Sequence, residues 1–120
     1  MKKSIAMKWV AELRSGKHRQ ARGSLKFADG SMCCLGVLCA NVLKLPHKKD
    51  GEDLYYFDFE SETNILPEEA MILSGIQTYH GKVCGEYLTN LNDIGLPAEN
   101  LDPFTFDEIA DLIQINWKDL

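Results

Sequence analysis

Residues 32–43 are almost wholly apolar, and this segment constrains the fold of the chain more than any other feature. Its one strongly polar side chain is Asn41, and it contains the block CCLGVLC. Such a run is buried as either a strand or a helix, and periodicity alone does not distinguish the two. Its length favours a helix that begins near Cys33 or Cys34 and ends before Leu45-Pro46, because the residue before a proline disfavours helical backbone.

Helices are also predicted at both ends of the chain. The first has Ser4 as its N-cap, Gly16 as its stop and an apolar stripe at helical spacing formed by Ile5, Trp9, Val10 and Leu13. In the last helix, Thr105 and Glu108 form a capping box, and Phe104 can pack on Ile109 as a hydrophobic staple. Its core-facing stripe is formed by Phe106, Ile109, Ala110 and Ile113.

Shorter elements are predicted between these helices. A helix starts at Pro67 and is closed by Gly75, and a helical turn leads to Asn92-Asp93. Residues 24–28 and 54–59 read as strands, with a hairpin turn at Asp29-Gly30, while residues 17–23, 47–53 and 78–85 read as loops or turns. The fold class that follows is α+β, with four or five helices packed on a small, mainly antiparallel sheet.

Length and composition predict one globular domain spanning residues 1–120. The chain is 45% hydrophobic and 26% charged, as soluble globular proteins are. No apolar run reaches the roughly 18 residues of a membrane span. The N-terminal stretch MKKSIAMKWVAEL is basic and then apolar, but Lys8 and Glu12 interrupt it and no small-residue cleavage site follows. We therefore expect an ordinary helix in a cytoplasmic protein.

Charge is distributed very unevenly along the chain. Residues 1–49 hold eleven Lys/Arg and two acids, a charge of +9, whereas residues 50–120 hold two Lys/Arg and sixteen acids, a charge of −14. The halves could neutralise each other on folding. Alternatively, the molecule has a basic face for an anionic ligand and an acidic face that repels bulk nucleic acid. The net charge of −5 argues against generic nucleic-acid binding.

The loop between Gly16 and Gly23 is the candidate binding site. Arginine offers a planar fork for phosphate or carboxylate, glutamine an amide for a base or sugar edge, and a tyrosine elsewhere can stack on a base. The predicted ligand-binding residues are Lys17, Arg19, Gln20, Arg22 and Tyr79. No P-loop or dinucleotide fingerprint is present, and the alternative is a solvated loop paired with the acidic half of the chain.

The cysteines have two interpretations. Cysteine is among the most commonly buried residue types, so the core is the simpler assignment. A thiol at a helix N-terminus could instead be a nucleophile, which needs a base. If the chain is an enzyme, the candidates are Cys34, His80 as the base and Asp93 or Asn92 as the group that orients it. No nucleophile-elbow or papain-type pattern accompanies them, so we lean against an enzyme and predict no catalytic residues.

No metal or other cofactor is expected. Structural zinc sites favour two closely spaced cysteine pairs, whereas Cys34 and Cys39 have four intervening residues and no second pair. A carboxylate site built from Asp93, Glu108 and Asp111 is the remaining possibility. The capping role already explains Glu108, and an outward helix face explains Asp111.

Four blocks resemble a family of small proteins found in tailed phages and in bacterial genomes that carry prophages. They are WVAELRSG at residues 9–16, Gln20 with Gly23 and Leu25, CCLGVLC at residues 33–39, and LND at residues 91–93 with FDEIADLI at residues 106–113. The loop at residues 95–103 is longer than this pattern leads us to expect. The resemblance implies a phage-related protein of the host cytoplasm and no particular activity.

The leading hypothesis is a non-enzymatic binding protein that sequesters a small anionic, nucleotide-like ligand or host defence signal, with a homodimer as the expected assembly. One alternative is the cysteine-dependent hydrolase or transferase. Another is an acidic interaction protein that inhibits a host nucleic-acid-binding protein. None of these needs a membrane.

Overall fold

The computed structural model of the chain describes residues 1–57 and 63–120. Within them lie five α-helices and two small sheets, in the order α1 (Lys3–Arg14), α2 (Cys34–Val37), β1 (Lys48–Asp50), β2 (Leu54–Tyr56), α3 (Glu68–Ser74), β3 (Lys82–Val83), β4 (Glu86–Tyr87), α4 (Leu88–Asp93) and α5 (Phe106–Asn116). A π-helical turn, Leu38–Val42, continues α2, and 3-10 turns cover Pro97–Glu99 and Trp117–Asp119. The predicted α+β class is confirmed.

The apolar run forms the centre of the core. It is a helix, as its length predicts, and every residue of α2 is buried. The helix α1 packs on it from one side, where Trp9 Nε1 donates to the carbonyl oxygen of Cys34 at 2.9 Å, and α1 also packs along α5. None of the helices in the described residues has the length and apolar character needed to cross a bilayer.

Helix ends are mostly where the local signals place them. Gly75 closes α3 in a left-handed conformation with a φ of 79°, and the Thr105–Glu108 capping box is present at the start of α5. The N-cap predicted at Ser4 is wrong, because α1 already begins at Lys3 and follows Lys2 without a side-chain cap. Instead, a backbone hydrogen bond holds Lys2 in place: its N–H donates to the carbonyl oxygen of Ser74 at 2.8 Å.

Strands are shorter and more numerous than predicted. Two separate antiparallel pairs, β1–β2 and β3–β4, replace a single sheet. The loops predicted at residues 47–53 and 78–85 are therefore wrong in part, since they contain β1 and β3. Strands of two or three residues are too short to show alternation in a sequence. Residues 58 and 59 of the predicted strand 54–59 lie outside the described residues.

The predicted strand at residues 24–28 is replaced by isolated bridges. Lys26 pairs with Met32, and Phe27 pairs with Leu54. The predicted turn at Asp29-Gly30 is present, because the N–H of Gly30 donates to the carbonyl oxygen of Phe27 at 3.0 Å. This segment is held directly over the start of the central helix.

A close backbone approach fixes that segment to α2. The carbonyl oxygen of Leu25 accepts from the N–H of Cys33 at 3.2 Å. A Cβ atom on Gly36 would lie 1.8 Å from the same oxygen, so only glycine fits there. These contacts fix the segment that follows the basic loop to the core at Leu25.

Candidate functional site

The end of the basic loop is anchored by a completely buried amide, that of Asn92 in α4. Its Oδ1 accepts from Nε2 of Gln20 at 2.8 Å and from the backbone N–H of Cys34 at 3.2 Å. Its Nδ2 donates to the carbonyl oxygen of Ala21 and to Oδ1 of Asp93, both at 2.8 Å. An amide has two donors and two acceptor lone pairs, so the hydrogen-bonding capacity of Asn92 is fully used.

Gln20 extends this network to the approach of α5. Its Nε2 also donates to the carbonyl oxygen of Phe104 at 2.8 Å, and the N–H of Phe104 donates to the carbonyl oxygen of Leu91 at the same distance. We call Gln20, Asn92 and the backbone groups they bind the amide hub. It joins the basic loop, the start of α2, α4 and the entry to α5, so three of the four sequence blocks meet in one buried network.

A cleft of about 260 Å³ lies between the basic loop and the first turn of α5. The side of α1 and the loop contributes Leu13, Arg14, Gly16, His18 and Gln20, and the side of α5 contributes Thr105, Phe106 and Asp107. The amide hub holds the two sides together, because Gln20 belongs to the loop and Phe104 stands just before α5. We refer to this cavity as the loop–α5 cleft.

Charges of both signs line the cleft. One terminal nitrogen of Arg14 donates to Asp111 at 2.6 Å and to Gln114 at 2.9 Å, and within the described residues the other guanidinium nitrogens make no hydrogen bond. His18 is almost buried, and its Nε2 lies 2.6 Å from a carboxylate oxygen of Glu12. Asp107 is exposed at the opposite wall. The cleft therefore offers spare arginine donors on one side and a carboxylate on the other.

The five predicted ligand-binding residues do not come together in this cleft. Of the five, Gln20 alone lines it, and its amide nitrogen already serves the amide hub. Arg19 is paired with Asp29 at the exposed hairpin turn. Two hydrogen bonds from Ser31 and, after them, the charge of Arg19 lower the pKa of Asp29 below its usual range.

Lys17 and Arg22 are exposed, and in the part of the chain that the structure describes their side chains make no hydrogen bond or ion pair. They lie on the same loop as the cleft but outside its lining. Tyr79 is 51% exposed in the turn region after α3. Tyr79 is not among the residues that line the cleft, and no hydrogen bond or ring contact between described residues joins it to the loop.

Cys34, His80 and Asp93 share no hydrogen bond with one another within the described residues. Cys34 is fully buried, and its Sγ lies 3.9 Å from the carbonyl oxygen of Leu88. Burial first, and then the nearby Cys33 and Asp93, raise the pKa of the Cys34 thiol well above its ordinary value. The carboxylate of Asp93 thus opposes formation of a thiolate. His80 faces Thr89 and Tyr87 and makes no hydrogen bond to Cys34 within the described residues.

The other three cysteines differ in how far their side chains are exposed. Burial raises the pKa of Cys33 to about 12 and also raises that of Cys39, whereas Cys84 is exposed in the turn between β3 and β4. Among the described residues no group of three or more His, Cys, Asp or Glu is arranged to hold a metal ion. Of the carboxylates considered for such a site, Glu108 completes the capping box and Asp111 binds Arg14.

A family model described as a domain of unknown function (DUF8296) matches residues 1–117, which is nearly the whole chain. The chain belongs to this family. The match includes every residue of the amide hub and of the loop–α5 cleft, so both lie inside the DUF8296 domain. No curated protein and no solved structure matches the chain.

The sequence did not reveal that Asn92 is the centre of a buried hydrogen-bond network. It also did not reveal that Arg14, Phe106 and Asp107 line a cleft. A signal for Asn92 is present, because it follows Leu88 by four residues and therefore shares the buried face of α4. A polar side chain on a buried face needs internal partners. No comparable signal identifies the partners, since Gln20 lies 72 residues from Asn92, and Phe104, whose carbonyl Gln20 also binds, lies 84 residues from Gln20.

Proposed function

We propose that this DUF8296 domain is a non-enzymatic binding protein whose loop–α5 cleft takes a small anionic, nucleotide-like ligand. The observation that supports the proposal best is the spare donor capacity of Arg14 inside a cleft whose walls are fixed by buried hydrogen bonds. An arginine fork matches a phosphate group, and Lys17 and Arg22 at the same loop add positive charge that attracts an anion.

The lining also favours a ligand with a neutral donor. Asp107 would repel a pure anion but accepts a hydrogen bond from a hydroxyl or amino group, such as those of a ribose or a base. The volume of about 260 Å³ is slightly below the roughly 300–1,000 Å³ of most ligand pockets, so the cleft suits a small ligand or the phosphate end of a nucleotide. The cleft therefore selects for phosphate and a hydrogen-bond donor on one small molecule.

Binding without catalysis fits the chemistry of the described residues. Cys33 and Cys34 are buried, their pKa values are raised, and no described histidine makes a hydrogen bond to them. Binding alone is enough for a protein that sequesters a signal. The resemblance to phage and prophage proteins extends this proposal to the cytoplasm of a bacterial host, where the ligand would be a defence signal and the binder a homodimer.

Titration of a nucleotide panel, read by native mass spectrometry and thermal shift, tests the proposal. Arg14→Ala is expected to weaken binding by roughly 10- to 100-fold, since a hydrogen bond to a charged group contributes about 1.5–3 kcal/mol. Asp111→Asn is the matched control, because it removes the ion pair of Arg14 but leaves the guanidinium group in place. Absence of binding by any nucleotide, or equal binding by Arg14→Ala and the wild type, would contradict the proposal.

A further inference from the structure

A second cavity, of about 200 Å³, opens on the face formed by the β3–β4 turn, α4 and α5. Its floor is apolar and is made by Leu91, Leu96, Phe104 and Leu112. Cys84 lies at one side of it. We call this cavity the acidic groove, because Glu86 and Glu99 also line it. None of its lining residues lines the loop–α5 cleft.

The apolar floor continues onto the exposed surface. Leu96 and Leu101 are held together by two backbone hydrogen bonds of 3.0 Å, and the side chain of Leu101 is 45% exposed. Apolar surface beside a concave apolar floor is typical of a binding site for another molecule, because burying it in a partner removes it from water.

The charged residues that line the groove are both acids. Glu86 and Glu99 are exposed, and in the described residues neither makes an ion pair. Lys82 is directed to the Tyr87 ring, where its Nζ lies 5.7 Å from the ring centroid. A ligand for this groove therefore needs an apolar group for the floor and positive charge for the rim.

We propose that the acidic groove docks a segment of a partner protein in which apolar anchor side chains are flanked by lysine or arginine. A small anion is excluded by the two glutamates. A symmetric contact with a second copy would place Glu86 and Glu99 of both copies against each other, which is repulsive. The basic loop of another copy offers charge but no large apolar anchor between Lys17 and Arg22.

Synthetic peptides test this inference on the full chain. The probe is fluorescein-labelled KRLFKR, and the comparison peptides are KRGGKR, which lacks the apolar anchor, and EDLFED, which reverses the charge. Fluorescence anisotropy is expected to show saturable binding of KRLFKR and binding at least about tenfold weaker for both comparison peptides. Equal binding of KRLFKR and KRGGKR would overturn the proposal, because it would mean charge attraction without use of the floor.

Two readouts locate the peptide. The double variant Glu86→Lys/Glu99→Lys is expected to weaken KRLFKR binding at least about tenfold. The control Glu52→Lys/Asp53→Lys makes the same change in net charge in the exposed turn between β1 and β2 and should bind as the wild type does. Equal affinities of the two double variants would contradict docking in the groove.

Cys84 supplies the second readout. It is exposed, whereas Cys33, Cys34 and Cys39 are buried, so the rate of cysteine alkylation in the native protein reports on Cys84. Saturating KRLFKR is expected to slow its alkylation several-fold, and an unchanged rate would contradict the proposal. A free protein in which Cys84 is already unreactive and which elutes as a dimer would assign the groove to a second copy and overturn it as well. These tests do not depend on anion binding, because the groove and the cleft share no residue.

Discussion

At the scale of single residues, the amide of Asn92 joins the basic loop and the start of α2 to α4. It is completely buried and makes four hydrogen bonds, three of them to groups outside its own helix. Removing one member of a buried network leaves its partners without hydrogen bonds, and each of these costs about 1–3 kcal/mol. The side chain of Asn92 therefore helps to hold the loop beside α5, together with the backbone hydrogen bonds that join Arg19 and Ala21 to Met32.

Asn92→Ala is expected to lower the free energy of unfolding by about 3 kcal/mol, measured by urea denaturation. Asn90→Ala, on the exposed face of the same helix, is the control and should change it by less than about 0.5 kcal/mol. Similar losses for the two variants would show that the amide hub does not hold the loop.

The buried thiols make a second residue-scale prediction. Burial raises the pKa of Cys33 from its ordinary 9.0 to about 12, so between these values the unfolded chain loses a proton that the folded chain keeps. The unfolded state is then favoured as pH rises, and this thiol contributes a slope of about −1.4 kcal/mol per pH unit above pH 9.

We expect Cys33→Ala to show a shallower fall in the free energy of unfolding between pH 9 and pH 11 than Cys84→Ala. Cys84→Ala is the comparison because it removes an exposed thiol and leaves the three buried thiols in place. The quantity compared is the slope with pH, and any loss of packing in Cys33→Ala shifts only the overall level. Parallel curves for the two variants would be inconsistent with a buried, protonated Cys33.

At the scale of elements, the contact between Gly36 of α2 and the carbonyl oxygen of Leu25 determines how the loop segment sits on the core. Gly36→Ala would force the two backbones apart, and we expect it to cost about 3 kcal/mol of unfolding free energy, at the upper end for overpacking. Gly23→Ala is the comparison, since its methyl group meets open space and only its φ of 90° is unfavourable, costing about 1 kcal/mol. Equal costs would contradict the close approach.

The α5 capping box makes a smaller prediction. The Thr105 hydroxyl accepts from the N–H of Glu108 at 3.2 Å, and Oε1 of Glu108 accepts from the N–H of Thr105 at 3.1 Å. Thr105→Ala should lower the free energy of unfolding by about 1 kcal/mol, whereas Thr105→Ser should be close to neutral. Loss of stability in both variants would mean that the hydroxyl is not the stabilising group.

Features that depend on residues close together in the sequence could be predicted. The capping box at Thr105, the left-handed stop at Gly75 and the burial of residues 32–39 all follow from local signals. The strand pairs β1–β2 and β3–β4 could not be predicted from local signals, because strands this short form only when the tertiary fold brings them together. The turn of β3–β4 also places Cys84 at a φ of 51°, and cysteine carries no signal for such a turn.

At the scale of the whole molecule, the uneven charge predicted from the sequence is resolved only in part by internal pairing. Arg14 is paired with Asp111 of the acidic half, whereas the partner of Arg19, Asp29, belongs to the basic half itself. Lys17 and Arg22 are not paired within the described residues. The basic loop could be recognised from its composition. The cleft beside it could not, because its opposite wall comes from residues 105–107, more than 80 positions along the chain.

The most direct test of the central claim is an NMR titration of the isotope-labelled chain with nucleoside monophosphates and inorganic phosphate. Binding in the loop–α5 cleft should shift the backbone amide signals of Gly16, His18, Thr105 and Asp107 together and along one saturation curve. The amides of Glu86 and Glu99 in the acidic groove should stay unchanged. Titrations that leave the cleft amides unmoved, or that shift signals only elsewhere, would contradict an anion site at this cleft.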